Sequence, residues 1–237
     1  MRATTLGDRI VNPFAYIGTR IDHVVLPHVS RHALDVLKRE YDAVSAHQIL
    51  WHAWDAFGPI VARVPVRRPP GTRIMLSLAA ASAALHCAMM RSGAEESHAT
   101  AVVAEIGRRC YRNLSRIPWW LGRLLTLDSI ARLSVASRLS HLFGLVGPAY
   151  SLRTVSPSDG SLTLEIHRCS GLQLYRELGI AHLARPLVCD VESAIADEWQ
   201  ATMTRTHALS EGHAVCRHQI RSIAPQHGGR HAGQPLY

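Results

Sequence analysis

The sequence has little lysine, no closely spaced cysteine pair and no long run of like charge. Lys38 is the only lysine, so arginine carries almost all of the positive charge behind the formal net charge of +8. The arginines are scattered and match no nucleic-acid-binding motif, so we do not expect DNA or RNA as a partner. The five cysteines include no CxxC pair, and their odd number argues against a disulfide scaffold.

No long apolar run begins the chain, because Arg2, Asp8 and Arg9 interrupt it. We therefore predict no secretory signal, free thiols and a location in the reducing cytoplasm. The longest apolar stretch, residues 74–90, is rich in alanine, contains serine and histidine, and is slightly short for a bilayer. We interpret it as a buried helix, with a membrane helix as the alternative, and predict no stable membrane insertion.

Helix-forming residues dominate the N-terminal half. A chain of 237 residues that is 47% hydrophobic can bury a substantial core. Residues 1–21 show no sustained periodicity and are predicted to form an irregular arm, followed by a helical half over residues 22–147. Within that half the pattern predicts a helix over 31–57 ended by Gly58 and Pro59, a linker over 64–71, a helix through Arg91, a helix over 95–116 ended before Pro118, and one or two helices over 121–143.

The pattern changes near residue 148. Leu162, Leu164 and Ile166 alternate with polar residues, which is typical of a half-buried strand. Around that strand we predict a strand over 149–155, a turn over 156–160, a helix over 172–178 capped by Gly179, a helix over 186–200, and strands over 201–209 and 214–222. Residues 148–223 are thus predicted to be ββααββ, an antiparallel sheet of about four strands covered by the N-terminal helices. The prediction is one compact α+β domain, with a disordered tail over 224–237.

A hairpin centred on residues 210–213 would place an arginine, two histidines and a cysteine on one face of the sheet. The expected register pairs Met203 with Ile220, Arg205 with His218, and His207 with Cys216. A buried arginine needs a charged partner. Two interpretations stay open: Arg205 pairs with a structural carboxylate while the histidines satisfy backbone groups, or the face lines a pocket that binds an anion beside a thiol.

The C-terminal part of the chain resembles the conserved half of the L-2-amino-thiazoline-4-carboxylic acid hydrolase family in three segments: HRCSGLQLYRELGI (167–180), PLVCDVE (186–192) and TRTHALSEGHAVCRHQI (204–220). These segments keep, in the family's order, Cys169, Leu178-Gly179, Cys189 with Asp190 and Glu192, Arg205-Thr206, Gly212 and Cys216. One feature departs from the family pattern. Where the family usually has Cys-Asp-Phe, this chain has Cys216-Arg217-His218, which points to a divergent substrate.

The resemblance implies cysteine-dependent hydrolysis of a C–N bond in a small cyclic thiazoline or amidine-type carboxylic acid, giving S-carbamoyl-cysteine from the family's own substrate. Such a reaction fits amino-acid or natural-product metabolism. Cys216 is the expected nucleophile, activated by His207 or, as second choice, His218. Arg205 would bind the substrate carboxylate, and Asp190 or Glu192 would protonate the leaving group. Cys169 and Cys189 are further catalytic candidates, with buried apolar packing as the alternative.

Other functions are compatible with the same residues. One is a domain that senses a small molecule without catalysis, and another is a tailoring enzyme that uses the pocket for a reaction such as cyclisation. We predict no cofactor; the alternative is a Cys₃His zinc site on Cys169, Cys189, Cys216 and a histidine. A third function is an interaction surface formed by Arg108, Arg112, Arg116 and Trp119-Trp120, although a solvated helix face is the usual explanation of such a stripe. The expected partner is a small carboxylate substrate, and a homo-oligomer is compatible with the sequence.

Overall fold

The computed structural model describes residues 13–64, 70–140, 151–155 and 161–223. Five long helices come first: α1 Pro13–Glu40, α2 Ala43–Val61, α3 Pro70–Arg91, α4 Glu96–Leu125 and α5 Ser129–Ser140. They are followed by strands β1 Ser151–Val155 and β2 Ser161–Arg168, helix α6 Ser170–Glu177, helix α7 Ser193–Glu198, and strands β3 Ala201–His207 and β4 Cys216–Ser222. The predicted α+β class is confirmed.

Helix α3 lies at the centre of the helical half and contacts α1, α2, α4 and α6. Its small side chains, among them Ala80, Ala84 and Ala88, are fully buried, so neighbouring helices approach closely. The segment Thr72–Arg91 is long and apolar enough to span a membrane, but 72% of its apolar window is buried inside the protein. This burial agrees with the predicted core helix.

Several predicted helix boundaries are wrong. The helix expected over 31–57 is two helices, because Asp42 begins a new one: its side chain accepts hydrogen bonds from the N–H groups of Val44 and Ser45 at 2.9 and 3.1 Å. Helix α2 then continues past Gly58 and Pro59 to Val61. Similarly, α4 runs through Pro118 to Leu125. Stacking of the next residue, Trp119, on Trp199 at a centroid distance of 6.5 Å fixes the turn that proline weakens.

The ends of the chain also differ from the prediction. Helix α1 begins at Pro13, so residues 13–21 of the expected irregular arm are helical. Proline is favoured in the first helical turn, where its missing N–H has no acceptor to lose. Residues 1–12, most of the predicted linker (65–69), the predicted turn (156–160) and the tail from 224 lie outside the described residues.

The four strands form one antiparallel sheet, as predicted, and their order in it is β1-β2-β4-β3. In β2 and β4, Ile166 pairs with Cys216, Leu164 with His218, and Leu162 with Ile220. One end of the inner face packs on α4, α5 and the end of α7 through Trp119, Leu133 and Trp199. The other end, around Ile166 and Cys216, packs against Met75, Cys169 and Leu209. Apolar contacts therefore enclose the middle of the face at both ends.

The helix predicted over 186–200 is instead a series of short turns. A π-helical turn, Arg185–Cys189, is followed by a 3-10 turn, Asp190–Glu192, before the single turn of α7. These turns lie against α4 at Gly107, where an added Cβ would come within 3.0 Å of Val191 Cγ1. Because glycine allows this close approach, the turn that carries Asp190 and Glu192 is held against the helical core.

Candidate functional site

The terminal hairpin follows the predicted register over most of its length and departs from it at one point. Met203 pairs with Ile220 and Arg205 with His218, as expected. A bulge between Arg205 and His207 then shifts the register, so that His207 pairs with Arg217. The prediction that His207 lies opposite Cys216 is therefore wrong. The His207 ring lies 5.0 Å from the His213 ring, and its Nδ1 is 3.1 Å from Thr206 Oγ1.

Six of the predicted site residues meet between the inner face of the sheet and the turns that precede α7. We call this group the polar cluster; its members are Cys169, Cys189, Glu192, Arg205, Cys216 and His218. Cys169 precedes α6, Cys189 and Glu192 lie on the turns, and the other three lie on β3 and β4. Asp190 adjoins the polar cluster through its ion pair with Arg205.

Arg205 is held by two partners on the turns. Its Nη1 donates to Asp190 Oδ1 at 2.9 Å, and its Nη2 donates to the carbonyl oxygen of Cys189 at 2.7 Å. The third nitrogen, Nε, is buried without a hydrogen-bond partner among the described residues. The predicted structural carboxylate for Arg205 thus exists, and one donor remains free for a further acceptor.

Glu192 and His218 form a contact between a partly buried carboxyl group and a fully buried imidazole. His218 is 1% exposed, and its Nε2 lies 3.5 Å from Glu192 Oε2. Neither ring nitrogen makes a hydrogen bond with a described residue. Burial lowers the pKa of His218 to about 4, assisted by the charge of Arg205. The imidazole is therefore neutral at neutral pH and does not supply a positive charge to a thiolate.

Burial also raises the pKa of Glu192 to about 7, against the opposing effect of Arg205. A carboxyl group with this pKa is present in both protonation states at neutral pH. Such a group can accept a proton in one step and return it in the next, which is the requirement for general acid–base catalysis.

The three thiols of the polar cluster lie near enough to this carboxyl group to feel its charge. Cys169 Sγ accepts a hydrogen bond from the N–H of Leu172 at 3.4 Å and so caps α6. Cys189 Sγ lies 3.8 Å from Ser210 Oγ, and Cys216 Sγ accepts a hydrogen bond from the N–H of Leu209 at 3.1 Å. The turn between β3 and β4 therefore covers two of the three thiols.

Burial raises the pKa of each thiol, to about 11 for Cys169 and about 12 for Cys189, and in the same direction for Cys216. The negative charge of Glu192 adds to the increase at all three. Each sulfur is thus a neutral thiol in the free protein, and a thiolate must form by proton transfer to a nearby base.

Two further charged residues adjoin the site and were not predicted. The Nε atom of Arg185 lies 3.9 Å from Oδ2 of Asp190, and the Nη1 atom of Arg185 pairs with Glu211 on the turn between β3 and β4. No sequence pattern marked these residues, because their proximity depends on the π-helical turn and on the hairpin folding back over it.

The described residues contain no group of three histidine, cysteine or acidic side chains placed as metal ligands. They therefore do not assemble the Cys₃His site that was the alternative, and the absence of a cofactor stays a prediction. Two surface cavities of about 510 Å³ each are lined mainly by α2, and neither includes a residue of the polar cluster.

Comparison with known proteins gives one match. A family model described as L-2-amino-thiazoline-4-carboxylic acid hydrolase matches residues 73–219, from helix α3 to the last strand. The matched region contains all six residues of the polar cluster. Neither the curated proteins nor the solved structures give a match.

Proposed function

Since the chain belongs to the L-2-amino-thiazoline-4-carboxylic acid hydrolase family, we propose that it hydrolyses a C–N bond in a small cyclic thiazoline or amidine-type carboxylic acid. The observation that carries this proposal is the Glu192–His218 contact, buried beside three thiols and one arginine. A carboxyl group whose pKa is about 7 is suited to moving the proton between a thiol and a ring nitrogen.

Cys216 is the proposed nucleophile. Its thiol proton passes to the Glu192 carboxylate as the sulfur adds to the amidine carbon of the ring. The protonated Glu192 then donates to the ring nitrogen as the C–N bond breaks, leaving the carbon bonded to the enzyme sulfur. Water adds to that carbon, the enzyme thiol leaves, and a carbamoyl product forms. Each proton taken up by Glu192 is returned within the cycle.

The remaining polar groups would bind and orient the substrate. The positive charge of Arg205 is suited to the substrate carboxylate, and its free Nε can donate a further hydrogen bond to the substrate. His218 is neutral and has both ring nitrogens unpaired among the described residues, so it can accept or donate one hydrogen bond to the reacting amidine. Because the bulge moves His207 away from Cys216, His207 has no part in this scheme.

Turnover of L-2-amino-thiazoline-4-carboxylate, followed by mass spectrometry of the carbamoyl product, tests the proposal. Cys216→Ser should abolish turnover, and Cys87→Ser, a half-buried cysteine on α3, is the matched control. Circular dichroism of both variants checks that the fold is intact. No turnover by the wild-type chain would reject the proposed substrate, and full activity of Cys216→Ser would eliminate it as nucleophile.

The raised thiol pKa values favour a second candidate, a binding domain without catalysis. In that case the substrate analogue binds while Cys216 remains a neutral thiol. The rate of alkylation by iodoacetamide separates the two. A catalytic thiol should be alkylated quickly near neutral pH and be protected when a substrate analogue binds, whereas a binding domain should show slow alkylation with or without the analogue.

A further inference from the structure

Arg205 of the polar cluster and the more exposed Arg185 share one aspartate. Asp190 Oδ1 accepts from Arg205 Nη1 at 2.9 Å, and Asp190 Oδ2 lies 3.9 Å from Arg185 Nε. The side chain of Arg205 is 18% exposed, whereas those of Asp190 and Arg185 are 47% and 59% exposed. Asp190 therefore connects the mostly buried guanidinium group of Arg205 with the exposed side chain of Arg185.

Both arginines have a second partner that does not depend on Asp190. Arg205 donates to the carbonyl oxygen of Cys189 at 2.7 Å, and Arg185 pairs with Glu211 on the turn between β3 and β4. The two guanidinium groups thus stay in place when Asp190 rotates away. Partly exposed ion pairs of this kind are weak, so an incoming carboxylate can replace the Asp190 carboxylate at little cost.

Resting on the proposed function, we propose that Asp190 occupies the position of the substrate carboxylate in the free protein. Arg185 and Arg205 together bind that carboxylate once Asp190 is displaced. The exchange replaces one carboxylate by another and leaves the net charge of the site unchanged. Arg185 is then a specificity-determining residue, because it selects a ligand with a carboxylate placed to meet both guanidinium groups.

Calorimetric titration of the full chain with L-thiazolidine-4-carboxylate tests this inference. The saturated ring has no amidine carbon, so binding is measured without turnover. Asp190→Asn should lower the Kd about three- to fivefold, because it removes the competing carboxylate and keeps the side-chain size. Arg185→Met should raise the Kd by a similar factor, and the gain from Asp190→Asn should shrink in the Asp190→Asn/Arg185→Met double variant.

The controls remove the same charges elsewhere. Asp197→Asn takes away an exposed carboxylate that lies 3.8 Å from Arg112, and Arg123→Met takes away an exposed arginine near the end of α4. Neither should change the Kd by more than about twofold. Thiazolidine without the carboxylate should not bind measurably to the wild-type chain.

An unchanged or raised Kd in Asp190→Asn would overturn the inference, since Asp190 would then position Arg205 instead of competing with the ligand. An unchanged Kd in Arg185→Met would remove Arg185 from the site. If one of these results is found while the wild-type chain still hydrolyses the aminothiazoline, the inference fails and the proposed function stands. If the wild-type chain neither hydrolyses the aminothiazoline nor binds the analogue, the proposed function fails with it.

Discussion

Replacing Glu192 by glutamine should stabilise the protein above neutral pH. Burial raises the pKa of this carboxyl group from 4.5 to about 7. Below about pH 4.5 the folded and unfolded states both hold the proton, so the carboxyl group does not lower the free energy of unfolding. As the pH rises to about 7, the unfolded chain loses the proton while the folded protein keeps it, and stability falls. Above about pH 7 the loss is complete.

The magnitude follows from the difference between the two pKa values, which corresponds to about 3 kcal/mol. This figure is an upper value, because 25% of the Glu192 side chain is exposed and solvent reduces the cost of its charge. Glutamine keeps the shape of the side chain and never ionises. Glu192→Gln should therefore be up to about 3 kcal/mol more stable than wild type at about pH 8, and close to wild type at about pH 4.

Urea unfolding at about pH 4, 6 and 8, with the free energy extrapolated to water, measures this difference. Glu177→Gln, at an exposed glutamate on α6, controls for the loss of one negative charge. A constant difference between Glu192→Gln and wild type across the three pH values would refute the reasoning. The acid–base role of Glu192 would then lose its physical basis.

Four further outcomes are expected. The pH profile of kcat should bend near pH 7, where Glu192 changes protonation state, and lose that bend in Glu192→Gln. Gly107→Ala should cost about 1–3 kcal/mol in urea unfolding and reduce kcat, because its Cβ would press on Val191; adding Val191→Ala should restore both. Gly179→Ala should cost about 1 kcal/mol in thermal unfolding, since the residue has φ +74°. Cys169→Ser should keep the cap on α6 and the stability, whereas Cys169→Ala should lose about 1 kcal/mol.

Residues of the sheet were predictable because strand alternation is a local property. The pairs Met203–Ile220 and Arg205–His218 follow from alternation and a short turn, and the structure has both. The His207–Cys216 pair fails because a bulge inserts one residue after Arg205. Nothing in the sequence near Thr206 marks that bulge. All six residues of the polar cluster were therefore predicted, while His207 pairs with Arg217 instead of Cys216.

Helix boundaries were also predicted incorrectly where local preferences were the only guide. Pro118 and Pro59 indicated helix ends, since proline removes a backbone hydrogen bond, yet both lie inside helices. Contacts with distant residues, such as Trp119 on Trp199, outweigh that local preference. The turns from Arg185 to Glu192 were likewise predicted as a regular helix, whereas they adapt to the surface that Gly107 leaves open.

The sequence by itself determined the α+β class, the four-stranded sheet and the identity of the cysteines, acids and arginine that meet on it. These features depend on side-chain periodicity and residue type, which are local properties of the sequence. Only the tertiary structure decided that Glu192 contacts His218 and that Arg185 and Glu211 join the site. The tertiary structure also raises the pKa of Glu192 and lowers the pKa of His218. Such properties arise from burial and from contacts between distant segments, so no local pattern contains them.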